Sequence, residues 1–305
     1  VNSKATPPNG TSPPRAVFPP GLVMGLIIVF WGLGPPVSKL ITAPPVISVL
    51  YRFWLSVPIL FAIAWVTGNR PSRSTLIATA PAGAAFGINL VFVFLTINTT
   101  AVAVLSVFTT LQPGIILLVA GPFLGERPGW WHVAWTIVGI GGTSLVVLGG
   151  GSEFDANLLG VVYALAAMIM FTAYFLLTKK ARTGADQVSA IEWMTGISLF
   201  AAVAVTPWAL LSSDKADYLM IGGKDWIWLA FVIAVTGIAG HVMMAWTHRY
   251  LDATRSSLYL LSMNIVAIGA SWIIHDEPLN LIQLAGGIVV FGAVGAVVTR
   301  PGHKA

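Results

Sequence analysis

The side chains able to do chemistry in this chain are few, and most interrupt long apolar runs. Trp31, Asn89, Thr109, Gln112, Tyr174, His241 and Asn264 stand inside those runs. Lys39, Arg52 and Glu192 stand nearer their ends. Asn89, Thr109, Gln112 and Asn264 are neutral donors and acceptors, suited either to a small polar molecule or to hydrogen bonds between helices. His241 is the one ionisable side chain near the centre of a run, and its unperturbed pKa of about 6.5 suits either a proton switch or a neutral structural histidine. All 11 acidic residues lie in loops or near run ends, so no carboxylate proton carrier is expected at mid-run. Arg52 lies deeper than Lys39 and needs a partner: a carbonyl or the carboxylate of a bound molecule. Lys39 can meet a charged substrate at a cavity mouth or reach water along its own stem. Glu192 is a charge at a cavity mouth on this reading. Trp31 and Tyr174 are either cavity walls or packing. Pro113 removes a backbone donor and frees a carbonyl near Thr109, which makes either a hinge or a static kink.

What positions these groups follows from composition. The 305 residues are 56% hydrophobic and 9% charged, with mean hydropathy +0.85. A soluble domain carries about 25% charged residues. So little polar surface cannot cover a water-facing globule, and the chain is expected in a bilayer, its lipid partner. The runs are long and unbroken rather than alternating, which selects helices over a barrel. Cysteine is absent, which excludes disulfides and thiolate chemistry. The net charge of +5 reads as loop lysine and arginine of a membrane protein, with no nucleic-acid partner expected. No paired acids, metal-ligand cluster or phosphate loop is visible, so neither catalytic residues, a metal nor a cofactor is expected. Gly269-Ala270-Ser271 superficially resembles an intramembrane serine-protease turn, but Trp272 follows and no suitable histidine comes later.

Ten spans are expected, at about 21–40, 45–67, 75–97, 100–122, 130–150, 158–178, 189–211, 226–247, 254–274 and 280–299. Residues 1–18 are rich in Pro, Ser, Asn, Thr and Gly and read as a disordered tail. With the N-terminus inside, twelve Lys and Arg fall on inner segments, and only Lys215 and Lys224 on outer ones. Both termini are then cytoplasmic. The chain also repeats. Ser106 to Glu126 and Ser257 to Glu277 begin with Ser, carry an aromatic third residue and end in Glu at a constant offset. Lys39 matches Lys180, Arg52 matches Glu192, and Asn89 matches His241. Five spans is an odd number, so the halves enter from opposite sides: inverted-topology repeats, as in secondary transporters. The expected fold is all-α, ten transmembrane helices in two five-helix repeats at 19–151 and 152–300, with a C-terminal tail at 301–305. On this reading the polar groups of spans 3, 4, 8 and 9 converge on a central cavity.

Phe30-Trp31-Gly32 with Lys39, Arg52, Leu124-Gly125-Glu126, Asp276-Glu277-Pro278 and Gly286-Gly287 together resemble the EamA-domain transporters of the drug/metabolite transporter superfamily. The resemblance covers roughly residues 20–300. It implies an inner-membrane exporter or permease of amino acids or similar small metabolites, with a cavity lined mainly by spans 1, 3, 4, 6, 8 and 9. Asn264 stands where the family often has a second mid-span proline. A lipid or lipid-linked sugar flippase is the alternative, and it would need a lateral opening between spans. The sequence leaves the cargo, the ion coupling and the oligomeric state open, a homodimer included.

Overall fold

The structure is a computed structural model that describes residues 16–100, 102–126, 128–149, 157–183, 188–276 and 279–298. The tails at 1–15 and 301–305, the repeat boundary at 151–152, Arg127, Glu277 and Pro278 lie outside these. Among the described residues the chain is helical throughout. The helices are α1 (Pro20–Ser38), α2 (Pro45–Val66), α3 (Arg73–Thr99), α4 (Val102–Leu124), α5 (Trp130–Leu148), α6 (Leu158–Thr183) and α7 (Ala190–Ser212). A 3-10 turn at Asp217–Leu219 precedes α8 (Asp225–Phe231), a π-helical segment (Val232–Ala239), α9 (Gly240–Thr247), α10 (Ala253–Leu260), α11 (Met263–His275) and α12 (Leu281–Val298).

Nine segments among the described residues are long and apolar enough to cross a membrane, with Asp225–Thr247 and Ala253–His275 each counted as one. The tenth expected span corresponds to α12, a shorter apolar helix. Large side chains such as Leu118, Ile137, Ile273 and Ile288 are exposed, as a lipid-facing surface requires.

Two spans differ from plain helices. The eighth passes through a π-helical stretch, a geometry often found at functional sites. The ninth breaks at Leu261–Ser262, where the amides of Leu261 and Ser262 bond three residues back, to Leu258 and Tyr259. Pro113, by contrast, sits inside an uninterrupted α4. The break therefore falls in the second half of the chain, beside Asn264, and not at the proline.

Helix contact in lipid depends on close packing of small residues. The α3–α7 contact shows it: a methyl added to Gly83 would lie 2.8 Å from the Ile197 carbonyl oxygen, and one on Gly87 would lie 2.7 Å from that of Ala201. Gly142 and Gly286 bring α5 and α12 together in the same way. Gly141 and Gly292, on the same two helices, face open space.

Charged side chains at one end of the bundle hold helix ends together. Glu126 accepts from the amides of Ala253 (2.7 Å) and Thr254 (3.2 Å), capping α10 from the end of α4. Lys179 Nζ donates to the carbonyls of His248 and Leu251, each at 2.6 Å, and Arg182 Nε donates to that of Ala245 at 2.9 Å. The carbonyls at a helix C-terminus have no partner within the helix and carry its negative dipole end. Lys179 is therefore buried at the end of α9 and does not reach out to water, the arrangement expected for a lysine at a span end. At the opposite end Asp225 accepts from the amide of Thr42 (3.2 Å), its hydroxyl (2.9 Å) and the amide of Ala43 (3.1 Å). This ties the start of α8 to the start of α2.

Candidate functional site

The deepest group of polar and aromatic side chains gathers around His241, the second residue of α9. Its Nδ1 lies 2.8 Å from the Tyr174 hydroxyl of α6, a buried hydrogen bond. One face of the imidazole meets Trp31 of α1, with centroids 4.7 Å apart. Phe86 of α3 meets it at 4.6 Å and also stacks on Tyr174 at 4.5 Å. Phe171, one turn before Tyr174 on α6, closes the group against Trp31 and Tyr174. The ring of His241 is thus fixed in orientation by one hydrogen bond and two aromatic faces.

The π-helical segment explains how Trp31 gets in. Trp31 Nε1 donates to the Thr236 carbonyl at 3.1 Å, one of the carbonyls the altered register presents. Gly240 makes the room: a methyl there would lie 2.5 Å from Trp31 Nε1. Gly237, one turn earlier, lies against Arg52, whose Nε would be in ordinary van der Waals contact, 3.5 Å, with an added methyl.

Arg52 projects from α2 into a small cavity bounded by Ser56, Phe86, Met194, Ser198, Gly237 and His241. The cavity holds about 10 Å³, room for roughly one water molecule. Among the described residues no acid and no hydrogen-bond acceptor pairs with the Arg52 guanidinium. A fixed cation therefore stands beside an aromatic-walled imidazole, near the middle of the spans and without a counter-charge. A guanidinium offers a planar fork of donors that matches a carboxylate in two bonds. Aromatic faces within about 6 Å attract an ammonium.

The other sequence-derived residues stand elsewhere. Asn89, one turn past Phe86, donates to the Ala167 carbonyl of α6 at 2.8 Å. This is the helix-to-helix bond, directly behind the cavity wall. Thr109 donates to the Ser106 carbonyl of its own helix, and Asn264 Nδ2 to that of Leu261. Gln112 is buried, and its amide nitrogen has no partner among the described residues. None of the three, nor Pro113, borders the cavity. The expected convergence of spans 3, 4, 8 and 9 is replaced by spans 1, 2, 3, 6, 7 and 8, because α4 packs against α5, α6 and α10 instead. Lys39 is the exposed C-cap residue of α1. Glu192 forms a capping box with Ser189 at the start of α7, accepting from the Ser189 amide at 2.8 Å. It serves the helix end and not a cavity mouth. The sequence reading missed Phe86, Phe171, Met194 and Ser198. Only Phe86 left a signal, being three residues from Asn89 and so on the same helix face.

The cavity is also a seam. Residues 19–148 and 158–299 each match the model of the EamA-like transporter family. The chain belongs to the EamA-like transporter family. Within this family member, Trp31, Arg52, Phe86 and Asn89 come from the first matched segment, and Tyr174, Met194, Ser198 and His241 from the second. Among its relatives is a protein of Archaeoglobus fulgidus named as an uncharacterized transporter, 24% identical over 278 residues, 89% of this chain and 96% of that protein. A solved crystal structure shares the fold with TM-score 0.75 at 18% identity, covering 91% of this chain and 96% of the other.

Proposed function

We propose that this EamA-like chain is an inner-membrane secondary transporter that exports or takes up amino acids or similar small carboxylate-bearing metabolites. The two matched segments act as inverted repeats that rock about the Arg52–His241 cavity and open it to each side in turn, with both termini cytoplasmic. The observation that carries this reading is Arg52: a cation with no counter-charge among the described residues, lining a cavity at the seam between the two segments. A cargo carboxylate completes it. Phe53 and Phe86, on the cavity wall, then face the cargo's ammonium or apolar side chain, with Trp31 and Tyr174 packed behind His241 and Phe86. The small volume describes a closed state, and loading requires α2 and α9 to separate. A polyanion fits poorly, because Arg52 is the only Lys or Arg on the cavity wall among the described residues.

The test is uptake by purified protein in liposomes against a panel of amino acids, nucleosides and sugars. Saturable amino-acid flux that an excess of the decarboxylated amine does not compete supports the reading. Saturable transport of a sugar nucleotide with no amino-acid flux contradicts it.

A further inference from the structure

Two carboxylates at opposite ends of the bundle are held in the same way. At one end Asp225, at the start of α8, accepts from the amides of Thr42 and Ala43 and from the Thr42 hydroxyl. At the other Glu126, just after α4, accepts from the amides of Ala253 and Thr254 and from the Thr254 hydroxyl. Each carboxylate thus takes two successive backbone N–H groups and one threonine O–H, at 2.7 to 3.2 Å. The two triads are also reciprocal. Asp225 belongs to the second matched segment and its donors to the first, while Glu126 belongs to the first and its donors to the second. Lys179, Arg182 and Glu192, by contrast, bond to groups of their own segment. The Arg52–His241 cavity lies between the triads, since Gly237 and His241 on its wall fall between Asp225 and Ala253 along the chain.

Two bodies joined at both ends of their seam enclose what lies between them, which accounts for a cavity of only about 10 Å³. Opening one mouth requires one triad to part while the other holds. The chemistry permits it. Charge-assisted hydrogen bonds are strong enough to fix a helix end. At a span end, however, the carboxylate and its donors can exchange one another for water at modest net cost. Thr42 is exposed and Glu126 half-buried, so both triads border the water-facing ends. Tyr51 adds to the Asp225 end, its hydroxyl donating to the Tyr218 carbonyl at 2.9 Å, again across the seam. We propose that the Asp225 and Glu126 triads are the two gates of the cavity, one for each face of the membrane, and that they part in alternation. This rests on the function proposed above, in which the cavity is the cargo site.

Ser198→Cys, on the cavity wall, reports each gate separately, because the chain has no other cysteine. A membrane-impermeant thiol reagent is applied to one face at a time of oriented proteoliposomes. In that background Asp225→Ala should raise the labelling rate from the face that holds Thr42, and Glu126→Ala from the face that holds Thr254. Loss of three bonds to one carboxylate predicts a rise of roughly tenfold in each case. Either substitution can also unfold the end it serves. The single-bond variants Tyr51→Phe and Thr254→Val keep both carboxylates and should give rises of about threefold, again from opposite faces. A static brace would lower stability without favouring a face. Rises from the same face for both ends, from both faces equally, or from neither overturn the proposal. Flux measurements separate it from the proposed cargo. Opposite one-sided rises in a protein that moves no amino acid uphold the gates and contradict the cargo. Amino-acid flux with no one-sided rise contradicts the gates alone.

Discussion

Two sets of buried charge in this molecule are treated in opposite ways. At one end of the bundle Lys179, Arg182 and Glu126 all meet backbone groups at helix ends, with bonds of 2.6 to 3.2 Å. Near the middle of the spans Arg52 meets none among the described residues, and faces a cavity instead. Burying a charge is costly unless it is paired and hydrogen-bonded. The end network meets that requirement within the fold. The Arg52 site leaves it unmet among the described residues, and the proposed function fills it with the cargo carboxylate. The contrast separates charges that hold the structure from the charge to which the proposed function assigns the cargo.

Substitutions can break this contrast, beginning with the largest effect. Arg52→Gln should abolish amino-acid flux in liposomes while leaving the thermal midpoint unchanged or raised, because an uncompensated cation is removed. A large loss of midpoint would place Arg52 in the structural set. Lys179→Met should do the reverse. It strands the His248 and Leu251 carbonyls and should cost about 1.5–3 kcal/mol in a reversible unfolding measurement, with transport per folded molecule preserved. Tyr174→Phe removes the bond to His241 and should cost about 1 kcal/mol, while raising KM more than it lowers the maximal rate, since the imidazole loses its fixed orientation. Glu192→Ala, at the capping box, should cost about 0.5–1 kcal/mol and leave the kinetics unchanged. A kinetic effect there would restore Glu192 to the cavity mouth.

The sequence made the membrane fold legible because hydropathy acts over whole segments, and the expected spans fall within a few residues of most observed helices. It also marked Trp31, Arg52, Tyr174 and His241 as exceptional, since each is a polar or amphipathic group deep in an apolar run. It did not show which exceptions meet. Thr109 bonds within its own helix and Asn264 to Leu261 at the break just before its own, a local choice that spacing does not reveal. The π-helical register that presents the Thr236 carbonyl to Trp31 has no sequence period of its own, and that bond ties α1 to the π-helical segment. Phe86, Phe171 and Met194 look like any other core hydrophobes until the chain is folded.

The central claim is that the Arg52–His241 cavity opens to each side of the membrane in turn. The chain has no cysteine, so a single Ser198→Cys, on the cavity wall, gives an unambiguous probe. Membrane-impermeant thiol reagents would be applied separately to each face of oriented vesicles, with and without a transported amino acid. The account predicts modification from both faces, slowed from both by the cargo. Modification from one face only under every condition, or from neither, would contradict it.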